Sequence, residues 1–460
     1  MKPERYWAQK VVLMSISNSV SSDSHPPLEE SKRLHQQALN VLPGGNSRHS
    51  IFYKPFALYA ESGKGCRVTD VDGIERIDCI NNMSSLIHGH SDPDVLEAVL
   101  NQAKKMLSVG MPTLAEIELA AELCQRLTSF SKVRFCNSGT ESIMFAIRAA
   151  RCFTGRDKVA KIEGAYHGSY DAMEYSLTPT PDSWGPAESP TTVPACEGMT
   201  QNTSEDTIIL PFNNVAATRE ILRARAKDLA AVMIDPLVSH MAFTQASPDY
   251  LAMVREETQR LGIVLIFDEV FSFRIGYRGA QSVVGIEPDL TTLGKVIGGG
   301  LPIGAIGGHQ NIMAVFDGAH HPARVEHSGT FFGNPLSTTA GLAALKKLTP
   351  QKIEYLQQLG DSAREGFKKL LVDCKIAGQV TGAGSLLAVI LNDQPFSNYR
   401  EFADVMMSGA MEKRQAFHRA MLNEGVHIIP GGGLILSTAM TPTDIEQILD
   451  AGKRSLQSIR

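Results

Sequence analysis

Tyr250-Leu251-Ala252-Met253-Val254-Arg255-Glu256-Glu257-Thr258-Gln259-Arg260-Leu261 runs into Gly262, then into Ile263-Val264-Leu265-Ile266-Phe267-Asp268-Glu269-Val270. The first part spaces its apolar residues at helical period, and residues 263–267 form a short apolar run of buried-strand length. Residues 230–234 have the same apolar character, so the helix at 250–261 has the length of a right-handed crossover between two parallel strands. Residues 133–136 supply a third strand. From about residue 84 onward helices alternate with such strands, which predicts an α/β fold on a mostly parallel sheet. Ligands of such sheets gather at the carboxyl ends of the strands, so the polar residues there come first.

Working outward, residues 29–42 read as a helix, and Asp72-Gly73 closes a β-hairpin between residues 60 and 82. Residues 1–27 read as a flexible leader. Residues 28–83 are expected to open a small domain, 84–345 to form the large one, and 346–460 to complete the small one as an α+β mixture. The proline-rich stretch 171–205 breaks the rhythm and is either a lid or a plain insertion.

The chain carries 43% hydrophobic and 20% charged residues and a formal charge of −5, without a basic cluster, which sets nucleic acid aside as a partner. No apolar run reaches membrane-spanning length, and Val11-Val12-Leu13-Met14 is too short for a signal-peptide core. The cytosol is the expected compartment. The seven cysteines are scattered and lack CxxC spacing, so neither a disulfide framework nor a metal site is expected.

Five motifs carry candidate chemistry, four of them where strands should end. Asn137-Ser138-Gly139-Thr140-Glu141 has capping-box spacing at a helix start, a place for an anion such as phosphate, although alone it reads first as an ordinary capped helix. Asp268 in Phe267-Asp268-Glu269-Val270 ends a buried strand and needs a partner, which a protonated ring nitrogen or an ordinary ion pair would supply. Tyr166-His167-Gly168 offers an aromatic plane, or plain core packing. Lys295 in Leu293-Gly294-Lys295-Val296-Ile297-Gly298-Gly299-Gly300 places an amine between an apolar strand and three glycines, where desolvation would leave it nucleophilic. His327-Ser328-Gly329-Thr330 is a small polar loop that could reach an anion or form a turn. The glycines match neither GxGxxG nor GxxxxGK[ST], which argues against a dinucleotide-binding dehydrogenase.

In this order along one chain, the motifs resemble the class III (subgroup II) aminotransferases of pyridoxal-5′-phosphate (PLP) fold type I. They are most similar to the branch of glutamate-1-semialdehyde 2,1-aminomutase and the β-amino-acid aminotransferases. The resemblance runs from Leu42-Pro43-Gly44-Gly45 to the C-terminus. It implies a large cofactor domain and a smaller α+β domain built from both chain ends. It also implies that Lys295 is the Schiff-base lysine and that Asp268 pairs with the pyridinium nitrogen. Ser138, Gly139 and Thr140 would hold the phosphate, Tyr166 beside His167 would stack on the ring, and Val270 would pack behind it. Thr330 would reach the phosphate of the neighbouring subunit's cofactor, in a homodimer with its site at the interface. The implied activity is ping-pong transfer of an amino group from an amino acid or amine, β-amino acids included, to a keto acid.

Three features depart from the aminomutase pattern. The early loop reads Pro43-Gly44-Gly45-Asn46-Ser47-Arg48 in place of GGVNSPVR, the late loop carries Phe331-Phe332, and Ile429-Pro430-Gly431-Gly432-Gly433-Leu434 lacks a FEAGF-like stretch. Intramolecular amino transfer is therefore the alternative, and a PLP-binding protein without catalysis a more distant one. Arg48 is the candidate grip for a substrate carboxylate, or else a surface arginine paired with an acid. Gly431 occupies the late position at which related β-amino-acid aminotransferases carry a second arginine.

Overall fold

The computed structural model describes residues 28–319 and 322–459, so the reading of residues 1–27 lies outside the described residues. The crossover helix spans Pro248–Leu261. Its start lies two residues earlier than the apolar period indicated, because Ser247 caps it by accepting the Tyr250 N–H and Pro248 suits its first turn. Gly262, at φ 63°, ends the helix in the left-handed conformation, and the Ile263 N–H donates back to Thr258. The strand that follows, Val264–Asp268, therefore begins one residue later than expected and takes in Asp268.

Chain order gives sixteen strands among the described residues: β1 (Ala60–Lys64), β2 (Arg67–Asp70), β3 (Glu75–Asp78), β4 (Lys132–Cys136), β5 (Lys158–Ile162), β6 (Thr207–Leu210), β7 (Leu229–Ile234), β8 (Leu237–Val238), β9 (Thr244–Gln245), β10 (Val264–Asp268), β11 (Leu290–Gly294), β12 (Gly304–Gly308), β13 (Gln379–Ala383), β14 (Leu386–Ile390), β15 (Val426–His427) and β16 (Gly433–Ile435). Seven build the central sheet in the order β4-β12-β11-β10-β7-β5-β6. Only β12 runs antiparallel to its neighbours β4 and β11. The tips of β4, β5, β7, β10 and β11 consequently share one edge.

Period-two alternation sends the strand side chains to two helical layers. Leu265 and Phe267 join Tyr250 and Val254 of the crossover helix on one face. Val264 and Ile266 join Ile143, Ala146, Ile147 and Ala150 of the helix Gly139–Thr154 on the other. Each fully buried aliphatic or aromatic side chain contributes roughly 1.5–3 kcal/mol, so the sheet is anchored from both sides.

The hairpin forms as expected: β2 and β3 pair antiparallel around Asp72-Gly73. The Asp70 carboxylate accepts the Asp72 and Ile74 N–H groups at 3.0 and 2.9 Å. Asp72 in turn accepts the Glu30 and Ser31 N–H groups, docking the helix Glu29–Leu39 on the turn. That helix stops short of residue 42, because Pro43 holds Leu42 extended at φ −126° and ψ 124°. β15, from the other end of the chain, pairs parallel with β3, so both ends share one sheet.

The stretch 171–205 is packed against the fold. Ser176 N–H donates to Val193 and Ala195 N–H to Glu174, while Arg400 donates to the carbonyls of Trp184, Gly185 and Pro186 and to the Glu163 carboxylate. It has the character of a pinned insertion. No helix among the described residues is long and apolar enough to cross a membrane.

Candidate active site

The shared strand edge opens on a cleft of about 350 Å3, in the size range of small-molecule sites. At the tip of β4 the chain turns into the helix Gly139–Thr154, with Ser138 as its cap accepting the Glu141 N–H at 3.2 Å. The Glu141 carboxylate accepts from Asn137 rather than from the cap residue itself, at 2.6 Å, so the box closes one residue early. The first-turn N–H groups of Gly139 and Thr140 have no intrahelical acceptor and lie at the cleft. Gly139 is required by close packing: a Cβ there would meet Val270 Cγ1 at 2.9 Å.

At the tip of β10, Asp268 is 5% exposed yet lines the cleft. The Val270 N–H (3.0 Å) and the Thr292 hydroxyl (3.3 Å) donate to Oδ1, and His167 Nδ1 lies 2.7 Å from Oδ2. His167 is fully buried, and burial lowers its pKa despite the carboxylate. It buttresses Asp268 from behind instead of facing the cleft. At the tip of β7, Asp235 accepts the Leu237 N–H at 3.0 Å and also lines the cleft. Burial, followed by the neighbouring Asp268, pushes its carboxyl well above the usual range. Asp235 escaped sequence reading, although Ile234-Asp235-Pro236 carries the same signal as Phe267-Asp268: an acid at the end of an apolar strand.

Lys295 directly follows β11 and has the left-handed φ of 50°, rare for a residue with a side chain. Its Nζ lies 4.8 Å from the Phe271 ring centre. Burial lowers the amine's pKa, and Asp268 and Asp235 raise it in opposition. Tyr166, 43% exposed, stands on the loop after β5. That loop is held at its base by Lys161, whose ammonium donates to the carbonyls of Ala165 (2.6 Å), Met173 (3.0 Å) and Tyr175 (2.7 Å).

Arg48 reaches the cleft from the early loop, donating to Asn82 Oδ1 at 2.8 Å, and has no acidic partner among the described residues. Asn82 was not singled out from the sequence; it sits in the run Asn81 to Ser84, all four left-handed, which carries it to the cleft. Besides the buried His167, Thr330 is the candidate that the single chain does not bring to the cleft, lying on an exposed loop beside Phe331.

These groups fit a phosphorylated pyridine aldehyde: a helix N-terminus for the phosphate, a buried carboxylate for the ring nitrogen and a desolvated amine for the carbonyl. The fit is steric as well. A Cβ on Gly168 would lie 2.6 Å from Thr140 Oγ1, so the aromatic loop is pressed against the phosphate-type cradle.

Comparison with known proteins agrees in extent and kind. The profile of the family described as Aminotransferase class-III matches residues 50–453. The chain is 36% identical over 439 residues to glutamate-1-semialdehyde 2,1-aminomutase 1 of Staphylococcus carnosus (strain TM300), covering 94% of this chain and 99% of the other. Among solved structures, an omega-transaminase from Sphaerobacter thermophilus is 42% identical with a TM-score of 0.91, covering 94% of this chain and 98% of its own. A β-phenylalanine aminotransferase from Variovorax paradoxus is 32% identical with a TM-score of 0.82, covering 92% and 93%.

Proposed function

The chain belongs to the class III aminotransferases, PLP-dependent enzymes of fold type I, and from that premise we propose that it moves an amino group from an amino acid or amine to a keto acid in ping-pong fashion. β-Amino acids are candidate donors. The observation that carries the proposal is the juxtaposition of Lys295 and Asp268 at the tips of adjacent strands, in one cleft with a helix N-terminus. The cofactor supplies an electron sink when bound.

In this reading Asp268, fixed by Val270, Thr292 and His167, keeps the ring nitrogen protonated. Lys295 would hold the cofactor covalently through Nζ, and the same Nζ, when free, would be the base placed to move a proton at the reacting substrate carbon. Ser138, Gly139 and Thr140 would hold the phosphate, and Tyr166 and Val270, which line the same cleft, would contact the ring. Arg48, which is free of an acidic partner among the described residues, grips the donor carboxylate. Thr330 serves the neighbouring subunit's site in a homodimer.

A panel of α-amino acids, β-amino acids and plain amines against pyruvate and 2-oxoglutarate tests this. Amino transfer that requires both a donor and an acceptor is the expected outcome. The similarity to the aminomutase favours one alternative, amino transfer within a single substrate. Turnover of glutamate-1-semialdehyde without any acceptor would establish that alternative and remove the transaminase reading.

A further inference from the structure

Arg274 stands on the short turn Ser272–Ile275, a few residues beyond Asp268, and is 1% exposed. Its Nε donates to the Ser385 hydroxyl at 3.0 Å, Nη1 to the Ser84 carbonyl at 3.2 Å and Nη2 to the Leu436 carbonyl. These acceptors are neutral and belong to separate segments: the residue before β14, the loop after β3 and the chain just beyond β16. Burial among them lowers the guanidinium's pKa to about 9. A charge held in this way is costly, and what it supplies is a set of strong donors in a fixed fork.

The Ser84 carbonyl ends a strained stretch. Asn81, Asn82, Met83 and Ser84 have φ of 49°, 47°, 52° and 76°, a conformation that a side chain disfavours at every one of these positions. Such a run persists only where its surroundings over-determine it. Its first residue is fixed by Asn81 Nδ2, which donates to the Ile435 carbonyl at 2.7 Å, and by Asp78 Oδ1, which accepts the Ile80 and Asn81 N–H groups at 2.8 and 3.1 Å. Its last residue is fixed by Arg274. Between these anchors Asn82 is exposed and lines the cleft, its Oδ1 accepting from Arg48 Nη1 at 2.8 Å. Ser85, directly after the run, lines the cleft as well, whereas Arg274 itself lies behind it.

We propose that Arg274 is a positioning residue of the donor site, clamping the left-handed turn 81–84 so that Asn82 holds the Arg48 guanidinium in place for the donor carboxylate. Arg274 and Asp268 share one short segment, so the clamp also sets the carboxylate grip in register with the partner of the ring nitrogen. The proposal rests on the reading of Arg48 as that grip. Loosening the clamp weakens the hold on a carboxylate and leaves the chemistry at Lys295 in place.

The test compares the PLP-loaded protein with Arg274→Lys, which keeps a charge but has no fork, and with Asn82→Ala. In Arg274→Lys the KM for carboxylate-bearing donors should rise about fivefold or more, with kcat and the KM for plain amines changed by less than about twofold. Calorimetric affinity for 3-phenylpropanoate, an unreactive carboxylate, should fall in parallel. In the Asn82→Ala background the lysine should add less than about twofold, because the residue through which Arg274 acts is already gone. A general loss of structure would instead harm both donor types and add to the Asn82 effect. Equal loss for amines and carboxylate donors, no loss for either, or additive effects in the double variant overturns the proposal. Should Arg274→Lys fail to fold, Ser385→Ala, which removes only the acceptor of Nε, carries the same readouts. Arg48→Ala separates the two readings. No preference between donor types in that variant removes the grip and this proposal with it, whereas a preference there with none in Arg274→Lys removes this proposal alone.

Discussion

Lys295 combines a left-handed backbone with a desolvated amine, a conformation that costs of order 1–3 kcal/mol and persists only where the surroundings over-determine it. Lys295→Ala should therefore leave the fold intact while removing turnover and the roughly 420 nm band of the lysine-bound cofactor. A variant that keeps both would take Lys295 out of its role. Asp268→Asn retains the shape but offers no charge to a ring nitrogen, so PLP should remain bound while kcat falls by about 100-fold or more. Unchanged kinetics would reassign the carboxylate. Arg48→Ala should raise KM at least about tenfold for carboxylate-bearing donors, equivalent to about 1.4 kcal/mol, with much less effect on plain amines. Equal effects on both would show that its bond to Asn82, not a substrate, is its purpose.

Among the elements, those with a strong apolar period were legible from sequence, and those defined by backbone proximity were not. The crossover helix could be read because its apolar residues recur at helical period on one face, and β10 because it is an unbroken apolar run buried on both faces. β12 could not: Gly304, Gly307 and Gly308 carry no pattern, being glycine because a Cβ would strike Ser138 O at 2.0 Å, the Phe130 ring at 2.3 Å and Asp289 O at 2.3 Å. The motif residues of the site were legible because they interrupt apolar strands, whereas Asn82 was hidden because only the folded chain shows what surrounds it. Lys161, on β5, is a further case, since its partners are carbonyls that no sequence pattern marks. Burial lowers its amine to about 7 from the ordinary 10.5. Between those values the unfolded chain binds more protons than the folded one, so this group's contribution makes stability rise with pH through that window. Lys161→Met should flatten that rise in the thermal unfolding midpoint of the apo-protein between about pH 7 and pH 9. An unchanged slope would show that Lys161 does not titrate there. The same variant should loosen the Tyr166 loop and weaken PLP retention.

For the whole molecule, one face of the chain is not finished. Leu100 and Leu107 are 53% and 62% exposed, Met111, Leu114 and Ile117 74%, 69% and 62%, and Phe331 55%. The loop carrying Thr330 and Phe331 lies beside the end of the helix Pro93–Ala103 and the start of the helix Leu114–Arg126: Asn334 donates to the Leu107 carbonyl, and a Cβ on Gly333 would meet the Glu116 carboxyl at 2.8 Å. A contiguous apolar surface of this kind marks an interaction site. A second copy of this chain is its proposed cover, because Thr330, a cofactor candidate exposed away from its own cleft, lies on the same face. Two charges placed at the centre of such an interface oppose its burial, and their desolvation has no partner to offset it. Leu114→Lys with Ile117→Lys should thus convert a dimer into a monomer by sedimentation, and the monomer should lose PLP affinity because it lacks the partner subunit's Thr330. Thr330→Val should preserve the dimer yet weaken PLP binding by a few-fold to about tenfold, as expected for loss of one hydrogen bond to a charged group. A monomeric wild type, or a lysine variant that remains dimeric with full cofactor affinity, would place the interface elsewhere and leave Thr330 outside the site.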